Sequence, residues 1–188
     1  TLLPYSGAHQ LTSHLLNRET KRSRKLFETL EEAIKNVGLA DGMTISFHHS
    51  FRGGDKTINM VMNVIASMGF KDLTLASSSL SDIHSPLVEH IKNGVVKKIY
   101  TSGMRGQLAE EVSRGLLAEP VHIHSHGGRV HLVQSGELNI DVAFIGVSSS
   151  DEFGNANAVK GQSRCGSLCY AQIDAQYANK TVVLTESL

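Results

Sequence analysis

Cysteine is scarce: the 188 residues hold two, Cys165 and Cys169, spaced C-x-x-x-C. Neither a secreted disulfide framework nor a zinc knuckle uses that pattern, so both read as small residues in a reducing compartment. Net charge is missing too. Eighteen basic and eighteen acidic residues cancel, which leaves no basic patch for nucleic acid. No apolar run approaches membrane length, and the first residues lack a secretory signal pattern. The expectation is a cytoplasmic protein with no nucleic-acid and no membrane partner. Familiar catalytic signatures are absent as well. There is no Gly-x-Ser-x-Gly elbow, no Gly-x-Gly-x-x-Gly fingerprint, and no activating partner near either cysteine in sequence.

What is present is a dense polar turn, Ser46-Phe47-His48-His49-Ser50-Phe51-Arg52-Gly53-Gly54-Asp55. It follows an apolar run from Met43 that reads as a buried strand. It precedes residues 56–68, whose Ile58, Val61, Met62, Ile65 and Met68 fit one helix face. A strand-to-helix turn rich in glycine N–H groups attracts oxyanions and carboxylates.

The same alternation runs along the chain. Residues 18–37 predict a helix with Leu26, Phe27, Leu30, Ala33, Ile34 and Val37 as its stripe and Gly38 as its stop. Strands are expected over 73–76, 95–100, 121–124, 141–147 and 181–185. Helices are expected from Ser85-Pro86 to Gly94, over 107–114 and near 173–178. Residues 129–135 fit strand or helix, and the βα rhythm favours helix. Residues 148–157 read as a long loop. The fold class is therefore α/β: three layers, with a mostly parallel sheet between helices. Right-handed crossovers put every strand's C-terminal end on one edge, where such sheets bind ligands. The polar turns 48–55, 77–82, 101–106, 124–128 and 148–157 all follow strands, whereas the turns at the opposite edge are short and plain. That asymmetry predicts a site.

His122, His124 and His126 alternate, so on a strand they would share a face. No carboxylate or cysteine lies nearby in sequence to complete a metal site, and none is expected. The glycines, serines, histidines and two arginines, Arg52 and Arg105, suit a surface that holds carboxylates and an oxyanion during acyl transfer.

Three segments then resemble a known family. They are the 46–55 turn, Ser125-His126-Gly127-Gly128-Arg129, and Asp141-Val142-Ala143-Phe144-Ile145 running into Asp151-Glu152-Phe153-Gly154-Asn155. Together they resemble the alpha chains of citrate lyase, which are citrate CoA-transferase subunits. With the closing Thr181-Val182-Val183-Leu184-Thr185-Glu186, they are similar to the first half of a Rossmann-like CoA-transferase fold. The resemblance covers nearly the whole chain. It implies exchange of acetate for citrate on an acyl-carrier thioester, through a mixed anhydride. It implies no tightly bound cofactor, the thioester being carried on the CoA-like prosthetic group of an acyl carrier protein. Implied partners are citrate, that carrier protein, the lyase subunits and a second CoA-transferase domain, within an oligomer.

On this basis Gly53 and Gly54 are the candidate catalytic backbone donors. His48, His49, Arg52, Gly103, Arg105, His124, His126, Gly127 and Asn155 are the candidate substrate-binding residues. One departure matters: the Ser-Glu-Asn-Gly stretch that carries the glutamate nucleophile of many CoA-transferases does not occur. The chain also starts at Thr1 and stops just after an apolar run, so the expectation is a first domain, 1–188, cut from a longer two-domain chain and inactive without the rest. Two other readings stay open. A sugar-phosphate isomerase or deaminase on a related fold would need a base, for which Asp55 and Lys56 are the nearby candidates. A non-catalytic ligand-binding domain would use the same scaffold.

Overall fold

A computed structural model of the chain describes residues 25–48, 51, 55–166 and 168–188. In chain order its elements are α1 (Leu30–Val37), β1 (Thr44–Phe47), α2 (Thr57–Ser67), β2 (Leu73–Ser77), a 3-10 turn (Asp82–His84), α3 (Leu87–Lys92), β3 (Val96–Thr101) and α4 (Gly106–Ser113). There follow β4 (His122–Ile123), α5 (His126–Ser135), β5 (Val142–Gly146), β6 (Ser149–Ser150), β7 (Ala156–Asn157), α6 (Tyr170–Tyr177) and β8 (Lys180–Leu184). The main sheet has the order β4-β3-β2-β1-β5-β8, and every neighbouring pair is parallel.

Period-two alternation along the strands builds two separate cores. Ile45, Phe47, Leu73, Leu75, Val142 and Phe144 enter the first, with Ile34 of α1, Ile58 to Ile65 of α2, Leu87 of α3 and Leu108 of α4. Phe47 and Phe144 are register partners on β1 and β5, and their rings stack 5.4 Å apart. Ala76, Ala143 and Ile145 enter the second core, with Val133 of α5 and Ala171 of α6. The three-layer α/β/α expectation is met, with four helices on one face and two on the other among the described residues. Each fully buried α2 side chain (Val61, Met62 and Ile65 are at 0% exposure) contributes about 1.5–3 kcal/mol. Among the described residues no helix is long and apolar enough to cross a membrane.

Several boundaries differ from the sequence reading. The helix expected over 18–37 begins at Leu30 among the described residues, where the Thr29 hydroxyl accepts from Glu32 N. Leu26 and Phe27 precede that cap and are exposed, so they are not part of the stripe. The strand expected over 121–124 is only His122–Ile123. The helix favoured over 129–135 forms but starts three residues earlier, because Ser125 Oγ accepts from Gly128 N at 3.0 Å and makes the glycines a first helical turn. That turn breaks the histidine alternation. His122 lies on β4 and stacks on Tyr100 at 4.4 Å, His124 lies between the elements, and His126 opens α5. Inside the expected loop 148–157, β6 and β7 pair as an antiparallel hairpin.

Candidate active site

The chain progresses outward from β1 to β4 in one direction and from β5 to β8 in the other. Its direction reverses between β1 and β5, and a ligand crevice opens above the C-terminal ends of such a pair. The turns that follow these two strands are those that carry His48 and Asp55 on one side and Ser148 to Asn157 on the other.

After β1, the buried Asp55 carboxylate clasps its own turn. One oxygen accepts from Thr57 N at 2.9 Å, at the start of α2, and the other from Phe51 N at 3.2 Å. Both oxygens thus serve the backbone, which removes Asp55 as a ready base. Gly146, at the end of β5, allows this turn to close. A Cβ there would sit 3.1 Å from both the Phe51 ring and the Thr57 hydroxyl. His49, Arg52, Gly53 and Gly54 lie outside the described residues.

Along the rest of the edge, backbone hydrogen bonds tie each turn to the next. Ser78 N donates to Phe47 O, Ser102 N to Ser78 O, and His124 N to Thr101 O. Gly103 and Arg105 belong to this stitching. Gly103 O accepts from Leu80 N, and Arg105 N donates to Leu80 O. They stand after β3, two strands from β1, with the Arg105 side chain exposed. Asn155 sits at the tip of the β6–β7 hairpin. Asp151 accepts from Phe153 N, Asn155 N and the Asn155 side-chain amide, the last at 2.7 Å. These hydrogen bonds, from Asn155 first, hold the Asp151 carboxyl below the usual aspartate range.

The second helical layer brings together residues from three elements. His48, at the end of β1, is 8% exposed and meets the Tyr170 ring edge-on at 6.2 Å. His126, the first residue of α5 and exposed, meets the same ring at 5.3 Å. Gly127 follows it in the open first turn. Beneath them Arg129 of α5 makes a two-pronged ion pair with Asp174 of α6, at 2.6 and 2.8 Å. The Arg129 guanidinium also lies 5.5 Å from the centre of the Tyr170 ring. His124 is half-buried beside this group, and its Nε2 has no hydrogen-bond partner among the described residues. Burial, then the charges of Arg129 and His126, push its pKa below the usual histidine value, so the ring favours the neutral form. Burial also raises the Tyr170 phenol, keeping it protonated.

Of the candidates taken from the sequence, the structure therefore groups His48, His126, His124 and Gly127. Gly103 and Arg105 stand on a different turn, and Asn155 on the hairpin. Arg129, Tyr170 and Asp174 were not among the candidates. The pattern that holds them is visible in retrospect as Tyr170 and Asp174 four apart and His126 and Arg129 three apart, each pair on one helix face. Among the described residues no group of three His, Cys, Asp or Glu is placed to hold a metal.

Residues 23–188 match the family model described as citrate lyase, alpha subunit (CitF). The citrate lyase alpha chain of Escherichia coli K12 is 73% identical over 170 residues, covering 90% of this chain and 33% of that one. A solved structure described as the alpha subunit of citrate lyase from Streptococcus mutans, in complex with citrate, superposes with a TM-score of 0.92 at 45% identity. It covers 99% of this chain and 37% of its own. Glutaconate coenzyme A-transferase from Acidaminococcus fermentans shares the fold alone, with a TM-score of 0.62 at 15% identity over 88% of this chain and 67% of that one. The chain spans about a third of the length of its curated relative. A doubly wound sheet reversing at β1 and β5, a histidine-bearing turn after β1, and this similarity over nearly all residues lead to one conclusion: the chain belongs to the citrate lyase alpha-subunit family.

Proposed function

We propose that this chain is the first CoA-transferase domain of an enzyme that exchanges acetate for citrate on an acyl-carrier thioester. A citrate carboxylate attacks the acetyl thioester carbonyl and expels the carrier thiolate, giving a citryl–acetyl anhydride. The thiolate then attacks the citryl carbonyl and expels acetate, so the thioester is conserved. Each attack builds an oxyanion that needs fixed donors, and the anhydride must be kept from water. The observation that carries the reading is the likeness, over almost the entire chain, to a relative solved with citrate.

The polar edge supplies groups of the right kind. Backbone N–H groups of Gly53 and Gly54 would face the oxyanion, and His49 and Arg52 in the same turn would bind carboxylates. His48, in that same turn, and His124, His126 and Gly127, around the start of α5, would line the crevice with them. Gly103, Arg105 and Asn155 would meet the more distant parts of the thioester arm. A second domain would close the crevice, and the carrier protein and lyase subunits would dock on the completed enzyme, in a cytoplasm whose reducing conditions suit a chain with two cysteines and no disulfide framework in its spacing. No tightly held cofactor is needed, because the thioester arrives on the carrier's CoA-like group. The isomerase reading is disfavoured by the Asp55 carboxylate, which the backbone occupies on both oxygens.

The test is to incubate the full-length chain with an acetylated carrier thioester and radiolabelled citrate. Label should enter the thioester fraction while an equal amount of acetate is released. Binding of citrate without transfer would favour a ligand-binding domain. Residues 1–188 alone should transfer nothing.

A further inference from the structure

Arg129 and Asp174 are 0% and 1% exposed and paired through both guanidinium Nη atoms. Two apolar side chains of similar volume would hold α5 to α6 as well or better, so binding the helices together does not by itself account for the pair. What it adds is orientation. With both Nη atoms engaged, the guanidinium plane is fixed, and it lies against the Tyr170 ring. Tyr170 and Asp174 are one turn apart on α6, and His126 and Arg129 are one turn apart on α5. Each helix thus contributes one charge and one ring, and the charges clamp the rings together. The edge of His48 closes the third side.

Within that clamp the Tyr170 hydroxyl is buried and has no hydrogen-bond partner among the described residues, in a residue 9% exposed. A buried hydroxyl left unpaired costs stability, and native structures rarely keep one without a use. Arg129 Nε, on the guanidinium that lies over the same ring, has no partner among the described residues either. Both α5 and α6 begin at this point, and helix N-termini favour negative charge. Donors without acceptors, next to two helix starts and the exposed His126, call for an acidic ligand.

We propose that the Tyr170 hydroxyl donates a hydrogen bond to a carboxylate of the tricarboxylate substrate, with Arg129 and Asp174 as the positioning pair that holds its ring against His48 and His126. The proposal rests on the citrate-transfer reading above. The test uses the full-length chain, with titration calorimetry against citrate and a thermal melt without ligand.

Tyr170→Phe removes only the hydroxyl. Its unliganded melting temperature should equal or exceed that of the wild type, while citrate Kd weakens about tenfold or more, the scale for a hydrogen bond to a charged group. A Kd within twofold of wild type overturns the proposal. So does a lower melting temperature, which would make the hydroxyl a structural partner. Wild-type chain that binds citrate beside an indifferent phenylalanine variant sinks the tyrosine role alone. Wild-type chain that binds none sinks the citrate reading and this role with it. The double variant Arg129→Met with Asp174→Leu should fold and raise the citrate KM more than it lowers kcat. An unchanged KM would remove the positioning role.

Discussion

Asp174→Leu strands the Arg129 guanidinium, 0% exposed, with no counter-charge. Coulomb attraction is lost while the desolvation already incurred by the arginine remains, and removing one member of a buried pair costs about 3–5 kcal/mol. For a domain of 150–250 residues each kcal/mol moves the midpoint by about 2–4 °C, so the domain's transition should fall by roughly 6–20 °C. The partner variant is as informative. With Arg129→Met added, neither charge of the pair is left buried, and stability should return to within about 1 kcal/mol of the starting protein or rise above it. The two changes must therefore couple by about 2 kcal/mol or more in a double-mutant cycle. Urea and thermal melts of the full-length chain, followed by far-ultraviolet circular dichroism, measure this. A single variant that loses less than about 1 kcal/mol, or a double variant no better than the single one, would refute the argument that orientation, not stability, is what the pair supplies.

The loop after β1 gives two further predictions. Arg52→Leu should leave the fold intact and raise the citrate KM by roughly tenfold or more, because a charge-assisted contact worth about 1.5–3 kcal/mol is gone; unchanged citrate kinetics would release Arg52 from the site. Gly53→Ala or Gly54→Ala should move the melting temperature by only a few degrees but cut turnover by roughly 10²-fold, the scale for one oxyanion donor; the reverse pattern, a lower melting temperature with normal turnover, would make the glycines a simple turn. A last prediction concerns pH. Burial lowers the pKa of His90, which sits 3.1 Å from the Asn63 side-chain oxygen, and of His124. The unfolded chain then takes up protons first as pH falls below about 6.5, so stability is full above that value and declines beneath it. Melts from pH 7.5 to 5 should show the decline, and His90→Gln should flatten part of it; a flat wild-type profile would contradict the assignment. The lowered Asp151 acts only near and below the ordinary aspartate value, outside this window.

The βα rhythm was legible because each buried strand is a short apolar run between turn residues, and β1, β2, β3, β5 and β8 fall within about one residue of expectation. The crevice was less so. That β5 pairs with β1 rests on contacts such as Ile45 with Val142, nearly a hundred residues apart, and no local pattern encodes such a neighbour. Local chemistry also misled where one residue changed its meaning. Gly127-Gly128 reads as a turn until Ser125 caps it into a helix. Asp151 and Asn155 read as a loop until their mutual hydrogen bonds fold a hairpin tip. The Arg129–Asp174 pair joins helices 45 residues apart, and either residue alone looks like an ordinary surface charge. The resemblance carried the candidate list further than spacing could, yet it passed over Tyr170, whose hydroxyl stands out only once its burial is known.

The central claim is conservation of the thioester through an anhydride, and oxygen tracing tests it most directly. Citrate labelled with ¹⁸O in its carboxylates should be turned over by the full-length chain in unlabelled water with acetylated carrier. The attacking oxygen becomes the bridge of the anhydride and leaves with acetate. The prediction is one citrate-derived oxygen in each acetate released and none from water. Acetate carrying solvent oxygen instead would mean the thioester is hydrolysed and not transferred, and would contradict the account.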